Sequence, residues 1–264
     1  MRTLSWDEAV SGALGPIATA ATIGVFDGFH VGHRALAARI ASRSPGLEPL
    51  VVTFSDNPKR VVSHQRYLGN ISTLRQKLDM LEEAGAKLCV LIDFSGNFSK
   101  LAGNVFISTL VRSCGVRYLV VGSDFRCGHG GTTNSRDVAA LARGLDIEAE
   151  ILEPVEVDGV PASSSRIRSS LAAGRMDLAL AMLGRPYALD LRSVDVVDDG
   201  RTTKADLGRR GLALPAPGRY RADLLVDGGR RPAAVTVTAG GVLEWTSEGS
   251  GNPRAVEFGG MMDR

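Results

Sequence analysis

Two histidines stand among glycines near the N-terminus, in the segment TIGVFDGFHVGHRALAARI over residues 22–40. His30 and His33 are three residues apart, so on a helix that begins near Val31 they share one side of its first turn. The N–H groups of a helix start attract phosphate, although the helix dipole contributes only about 0.3 to 1 kcal/mol. Two imidazoles can add charge-assisted hydrogen bonds of about 1.5 to 3 kcal/mol each. The segment therefore predicts a site for nucleotide phosphates.

The histidines must be positioned by the elements on either side of them. Apolar residues over 18–25 predict a buried strand, and an apolar stripe over 35–40 predicts a helix. Between them, Gly24, Gly28 and Gly32 allow backbone to approach a ligand without interference from a Cβ atom. The pattern predicts a tight strand-to-helix turn at a phosphate site.

Other interpretations of this segment are less favoured by its residues. A single histidine is more often a structural side chain, but the paired spacing makes this interpretation weaker. Zinc ligation needs further donors, and Cys89, Cys114 and Cys127 show no CxxC spacing. Asp27 precedes Gly28, and an Asp-Gly pair is most commonly a plain turn former. Phosphate binding is therefore favoured over metal ligation, with Asp27 as a second-tier candidate.

Strand-like and helix-like segments alternate from residue 18 to residue 152, as a parallel α/β sheet demands. Strands are predicted over 18–25, 49–54, 87–92, 116–121 and 147–152, with helices from about 31, 73 and 105 and after 134. Ligands of open sheets lie beyond the carboxyl ends of the strands. His30, Asn57 and Asp124 each follow a predicted strand, so we expect one cleft to gather them.

A second phosphate signal lies in the segment SSSRIR, residues 163–168. Ser164 and Ser165 offer hydroxyl and N–H groups at a predicted helix start, beside Arg166 and Arg168. These arginines are two residues apart and face different ways on a helix, so we expect only one to reach a nucleotide. The alternative is that the serines cap the helix and the arginines are solvated.

The motif GVFDGFHVGH resembles the signature of the FMN adenylyltransferase module of prokaryotic FAD synthetases, in the nucleotidyltransferase superfamily with HxGH motifs. Four later blocks resemble that module in the same order: VVTFSDNP (51–58), VVGSDFRCG (120–128), VDGVPASSSRIRSSLAAG (157–174) and MLGRPYAL (182–189). The resemblance covers residues 18–190 strongly. It implies a Rossmann-like parallel-sheet nucleotidyltransferase domain over residues 1–186.

The resemblance implies that FMN and ATP are substrates, that FAD and pyrophosphate are products, and that Mg²⁺ accompanies ATP. It implies catalytic roles for His30 and His33 at the α and β phosphates and for Arg168 at the leaving group. Implied nucleotide contacts are Gly24, Phe26, Asp27, Gly32, Asp124, Ser164 and Ser165. Implied flavin contacts are Asn57, Phe125 and Cys127. The family commonly has histidine at the position of Asn57 and an aromatic residue at that of Cys127, so the flavin side departs from its pattern.

After residue 186 the sequence changes to short alternating segments separated by turn residues. Strands predicted over 194–197, 220–226, 234–237 and 242–245 indicate a small antiparallel β-barrel or sheet, here taken as a second domain over residues 187–264. In bifunctional members of the family this position holds a riboflavin kinase domain, which LPAPGRY faintly resembles. No GFPTAN block follows Arg201, and Glu257 is better interpreted as an exposed strand residue than as a catalytic acid. We predict a reduced domain without kinase activity.

Composition narrows the class of protein further. A net charge of +2 with mixed signs gives no basic stripe for nucleic acid. Three cysteines do not suit a disulfide framework, and no apolar run approaches the roughly 18 residues of a membrane span. The sequence thus favours a cytoplasmic enzyme with small-molecule partners, of unspecified oligomeric state. A bifunctional enzyme and a non-catalytic flavin or nucleotide binder remain the alternatives.

Overall fold

The structure is a computed structural model that describes residues 1–62, 67–94, 97–246 and 252–262 of the 264. The chain divides into two compact units, the first formed by Met1–His64 and Lys77–Glu156 and the second by Gln65–Gln76 and Val157–Arg264. Each unit has its own sheet and its own apolar core.

The N-terminal part of the chain alternates strands and helices. Its strands are β1 (Arg2–Ser5), β2 (Thr19–Ile23), β3 (Glu48–Phe54), β4 (Leu88–Ile92), β5 (Val116–Gly122), β6 (Arg126–Cys127), β7 (Thr133–Asn134) and β8 (Glu148–Leu152). Its helices are α1 (Trp6–Val10), α2 (Val31–Ala41), α3 (Pro58–Val62), α4 (Leu74–Glu83), α5 (Gly103–Ser113) and α6 (Ser135–Gly144), with 3-10 turns at Phe98–Lys100 and His129–Gly131.

Six of these strands form one sheet in the order β1-β4-β3-β2-β5-β8, with parallel pairing throughout. Apolar clusters cover both faces of this sheet, which explains why β3 is buried continuously from Pro49 to Thr53 rather than at alternate residues. The chain runs outward from β2 through β3 to one side and from β5 through β8 to the other. The strand order therefore reverses between β2 and β5, where open sheets of this kind bind ligands.

The predicted parallel α/β sheet is confirmed, and each strand and helix predicted over residues 18–152 is present within a few residues. Thr73 and Gln76 form the expected capping box at the start of α4. The prediction missed β1, α1, α3 and the β6–β7 hairpin. Ser5 and Glu8 form a capping box at α1, and this Ser-x-x-Glu spacing was the signal that could have revealed that helix.

The second unit contains α7 (Ser164–Ala172) and α8 (Met176–Leu183). Its strands are β9 (Glu156–Val157), β10 (Val160–Pro161), β11 (Tyr187–Asp190), β12 (Val196–Asp198), β13 (Thr202–Asp206), β14 (Gly218–Val226), β15 (Gly229–Val237), β16 (Val242–Thr246) and β17 (Ala255–Met261). Seven of them form an antiparallel sheet in the order β11-β17-β14-β15-β16-β13-β12. The predicted small antiparallel β structure is confirmed, although α8, β9, β10, β11, β13 and β17 were not predicted.

The packing units divide at a different place from the expected domain boundary at residue 186. Ile167 and Leu171 of α7 and Ala179 and Met182 of α8 are fully buried in the same core as the antiparallel sheet. The two helices therefore pack with the second unit, although their sequence blocks resemble the transferase module. The boundary at residue 186 stays a prediction about functional modules. Among the described residues, no helix is both long enough and apolar enough to cross a membrane.

Candidate active site

The turn between β2 and α2 has an unusual backbone. Gly28 has φ of 77°, and the non-glycine residues Phe26 and Phe29 have φ of 53° and 39°. Bulky side chains rarely adopt positive φ, because the arrangement costs about 1 to 3 kcal/mol per residue. Packing maintains it here, since Phe26 and Phe29 are 0% and 4% exposed. The turn is therefore held in a fixed shape by the core beneath it.

The histidine pair lies where this turn enters α2. His30 is the N-cap residue and His33 lies in the first turn, and their rings stack with centroids 3.7 Å apart and planes at 20°. The ring of Phe26 packs edge-on against His33 at 5.0 Å. At Gly32 a Cβ atom would lie 3.2 Å from Cε1 of His30, so the absence of a side chain leaves room for that ring. The expected placement of both imidazoles on one side of the first turn is confirmed.

The electrostatic setting of His33 lowers the pKa of its imidazole in the absence of a ligand. Burial lowers the pKa of His33 well below its ordinary value, and the nearby His30 and Lys77 lower that pKa further. Among the described residues, the buried Nδ1 of His33 has no hydrogen-bond partner. An anion beside the ring would favour the protonated imidazole and could accept a hydrogen bond from its Nδ1–H group. The site is thus arranged to gain from a bound phosphate.

Lys77 is a buried cation of this region that sequence reasoning missed. Its side chain comes from α4 and the residue is only 6% exposed. Its Nζ donates to the carbonyl oxygens of Val25 at 3.3 Å and Phe54 at 2.6 Å, and to Oγ1 of Thr53 at 3.4 Å. Burial lowers the pKa of Lys77, while the Asp27 carboxylate opposes that shift. The available signal was a lysine at helical spacing on the apolar face of α4.

The ends of β2 and β3 meet through Asp27 and Asn57. These residues are 4% and 5% exposed, and Nδ2 of Asn57 lies 3.5 Å from Oδ2 of Asp27. Oδ1 of Asn57 accepts from the backbone N–H of Lys59 at 3.1 Å, in the first turn of α3. The structure therefore brings two of the predicted site residues together at neighbouring strand ends. The side-chain amide of Asn57 thus has a partner at each end, Asp27 at Nδ2 and the backbone of Lys59 at Oδ1.

The third block lies beyond β5, the other neighbour of β2. Asp124 is exposed, in a turn closed by a hydrogen bond from the N–H of Phe125 to the carbonyl of Gly122 at 3.0 Å. Phe125 and Cys127 are partly buried and pack against the core of the first unit. Burial raises the pKa of the Cys127 thiol to about 11, so this thiol is protonated at neutral pH.

In the second unit, the predicted serine cap is present at α7. Ser163 is the N-cap residue, and its hydroxyl accepts from the backbone N–H of Arg166 at 3.3 Å. Ser164 and Ser165 follow as the first two residues of the helix. The capping alternative for this segment is thus correct for Ser163.

The two arginines of α7 diverge, as their spacing predicted. Arg168 is 5% exposed, with Nε donating to the carbonyl of Gly69 at 2.6 Å and the guanidinium carbon 5.0 Å from the Tyr67 ring centroid. Arg166 is not simply solvated, because its guanidinium donates to the carbonyls of Val160 and Pro161 at 2.8 and 2.9 Å. Arg168 is the more buried of the two arginines. Its placement against the histidine pair stays a prediction.

The first unit has the architecture of a nucleotide-binding α/β protein. It combines a parallel sheet with a change of strand order and a helix start that carries two imidazoles beyond the central strand.

Comparison with known proteins identifies the family within that class. The sequence model of the family described as FAD synthetase matches residues 16–166. A bifunctional riboflavin kinase/FMN adenylyltransferase of Escherichia coli is 33% identical over 212 residues, covering 77% of this chain and 67% of the relative. The protein of the same name from Pseudomonas fluorescens is 30% identical over 225 residues, covering 82% and 71%. The chain belongs to the FAD synthetase family, which confirms the resemblance of its motifs.

A solved structure supports the fold. A Streptococcus pneumoniae protein, titled a macrolide-efflux protein, matches with a TM-score of 0.85 over 99% of this chain and 91% of its own. Its sequence identity is 24%, so the match supports the architecture alone.

Proposed function

We propose that this chain is an FMN adenylyltransferase, which makes FAD and pyrophosphate from FMN and ATP. The observation that carries the proposal is the stacked imidazole pair at the start of α2, in a chain that belongs to the FAD synthetase family. A pair of donors at a helix N-terminus suits the phosphates of a nucleotide.

The proposed reaction is an in-line displacement. A phosphate oxygen of FMN attacks the α-phosphorus of ATP, the bond from that phosphorus to the bridging oxygen breaks, and pyrophosphate leaves with its electron pair. His30 and His33 hold the α and β phosphates, and Arg168 neutralises the leaving group. Alignment of attacker and target can contribute about 7 to 11 kcal/mol at its upper limit. Cationic donors at the developing charge add to that effect.

Magnesium belongs to the proposal as a companion of ATP, where it would neutralise phosphate charge. Among the described residues, no group of three or more His, Cys, Asp or Glu side chains is arranged to hold a metal. Magnesium in phosphate-transfer sites is commonly bound through substrate phosphates and water, with few protein ligands. The side chains of this chain fit an ion that enters with the nucleotide.

The remaining site residues are assigned to ATP or to the flavin according to the sequence motif in which each one lies. The ATP contacts are Gly24, Phe26, Asp27, Gly32, Asp124, Ser164 and Ser165. The flavin contacts are Asn57, Phe125 and Cys127. The buried pair of Asp27 and Asn57 supports this division, because polar groups held from two sides can orient a ligand at low entropic cost.

A bifunctional enzyme is the second candidate, because the relatives from Escherichia coli and Pseudomonas fluorescens carry riboflavin kinase in their names. Two observations support a chain without that activity. No GFPTAN block follows Arg201 in the sequence. Glu257, the residue considered as a kinase acid, has a carboxylate oxygen 2.5 Å from the guanidinium of Arg230. In this ion pair the carboxylate is directed at a protein group rather than left open to a substrate.

Product analysis tests the proposal. The purified chain is incubated with MgCl₂, ATP and either FMN or riboflavin, and the flavins are separated by chromatography, with reactions lacking ATP as controls. We expect FAD from FMN and no new flavin from riboflavin. FMN or FAD formed from riboflavin would establish the bifunctional enzyme. Absence of FAD from FMN, in protein that binds either substrate, would establish a non-catalytic binder.

A further inference from the structure

Lys77 is buried beneath the turn that carries the histidines, yet the proposed reaction gives it no role. An ammonium group has three N–H donors, and three oxygens surround this one: the carbonyls of Val25 and Phe54 and the hydroxyl of Thr53. The Thr53 hydroxyl itself donates to the carbonyl of Val25 at 3.0 Å. These bonds form a closed network between the carboxyl ends of β2 and β3.

This network excludes a direct role for Lys77 at the substrate. A lysine that holds phosphate needs donors directed toward the ligand, whereas the donors of Lys77 are engaged by protein oxygens. Keeping a charged group at 6% exposure is also costly unless its hydrogen bonds are made. The hydrogen bonds that offset this cost go to Val25, two residues before Asp27, and to Phe54, three residues before Asn57.

We propose that Lys77 is a positioning residue for adenylyl transfer, which clamps the ends of β2 and β3 and so sets the histidine turn against Asn57. The inference rests on the proposed function, because it concerns the geometry of that reaction. The ladder of β2 and β3 ends at the pair of Ile23 and Val52, and the N–H of Gly24 adds one more bond to the carbonyl of Val52 at 3.1 Å. The hydrogen bonds of Lys77 extend this connection to Val25 and Phe54, beyond the last paired residues of the two strands.

The groups that face Lys77 fit this role. They are the carboxylates of Asp27 and Asp56, the thiol of Cys89 and the imidazole of His33. The Asp27 carboxylate favours the charged ammonium, while the ammonium disfavours a second positive charge on His33 before a ligand binds. Removal of the charge should therefore raise the pKa of His33. That shift is measurable without any substrate.

The first variant is Lys77→Met, which keeps the aliphatic stem and removes the charge and all three donors. Its matched control is Lys87→Met, since Lys87 is exposed and close in sequence. For Lys77→Met we expect kcat for FAD formation to fall at least tenfold while KM for ATP changes by less than about threefold. Loss of alignment slows the reaction, because a misplacement of about 1 Å can cost about 100-fold. Loss of a group that binds ATP equally well in the ground state and in the transition state would instead raise KM.

A second pair of variants keeps the test valid if Lys77→Met does not fold. Thr53→Val removes one acceptor at nearly constant volume, and Thr53→Ser retains the hydroxyl. We expect Thr53→Val to lower kcat at least threefold, and we expect Thr53→Ser to keep kcat close to that of wild type. Rates are normalised to folded protein by circular dichroism, so that a merely structural effect does not appear as a change in kcat.

Two results would overturn the inference: kcat within twofold of wild type in both Lys77→Met and Thr53→Val, or losses confined to KM for ATP. Titration of the histidine ring protons by NMR provides an independent measurement, with exposed His129 as the internal reference. The His33 resonances should titrate at higher pH in Lys77→Met than in wild type or Lys87→Met. If wild-type protein makes no FAD from FMN, the proposed function fails, and unshifted His33 resonances in Lys77→Met would then refute the placement of the ammonium beside the histidine turn.

Discussion

Replacement of His33 by alanine is the most direct test of the phosphate site. The residue stacks on His30 at 3.7 Å and touches the edge of the Phe26 ring at 5.0 Å, so the variant loses one imidazole of the pair. The His33 residue retains some exposure, and within the described part of the chain it makes neither a capping hydrogen bond nor an ion pair. The variant should therefore fold, with its main defect in turnover.

The size of that defect follows from the interaction that is lost. A hydrogen bond to a charged group contributes about 1.5 to 3 kcal/mol. At about 1.36 kcal/mol for each tenfold change in rate, its loss from the transition state corresponds to about 10- to 150-fold in kcat. Alanine is also a good helix former, so the substitution does not weaken α2 by propensity.

The assay is steady-state FAD formation from FMN and ATP, with thermal unfolding as the check on the fold. The matched control is His129→Ala, since His129 is an exposed histidine whose Nδ1 lies 3.1 Å from the carbonyl oxygen of Ser99. We expect turnover within about twofold of wild type in the control. Near-unchanged turnover in folded His33→Ala would remove His33 from the mechanism and refute the imidazole-pair argument.

Four further outcomes are expected. Arg168→Lys should lower kcat/KM for ATP at least tenfold, because an ammonium cannot replace the planar guanidinium, whereas Arg166→Lys, as its control, should stay within about threefold. Glu257→Ala should leave FAD formation unchanged in the same assay and cost at most about 1 kcal/mol of unfolding free energy in denaturant titrations, since it removes a partly exposed ion pair. Gly32→Ala should slow turnover without unfolding the protein, because its Cβ would lie 3.2 Å from an imidazole atom of the site, and wild-type kcat in this variant would contradict that reasoning. The pKa of His33 is lower in the folded than in the unfolded chain, so unfolding takes up a proton below about pH 6.5. The melting temperature should therefore decrease as the pH is lowered below that value. The decrease should be smaller in His33→Gln, which lacks the titrating imidazole.

Local patterns in the sequence determined the histidine site and most elements around it. The pairing of His30 with His33 depends on a spacing of three residues at a helix start, which folds in only one way once α2 begins at Val31. The capping box likewise joins Thr73 and Gln76, which are only three residues apart. The continuous burial of β3 follows from the cover on both faces of the sheet and is visible in its run of mainly apolar residues. Such features can be predicted because their geometry depends on neighbours in the chain.

Tertiary structure decided the features that join distant residues. Lys77 contacts the carbonyl of Val25, 52 positions away, and its place on an otherwise apolar helix face gave no indication of which oxygens it would meet. The strands β11 and β17 are separated by most of the second unit and pair only in the folded sheet. Short strands of this kind carry little periodicity of their own, so the partner strand supplies their hydrogen bonds and burial. Sequence could thus place the imidazoles, but only the folded chain could supply the buried ammonium beneath them.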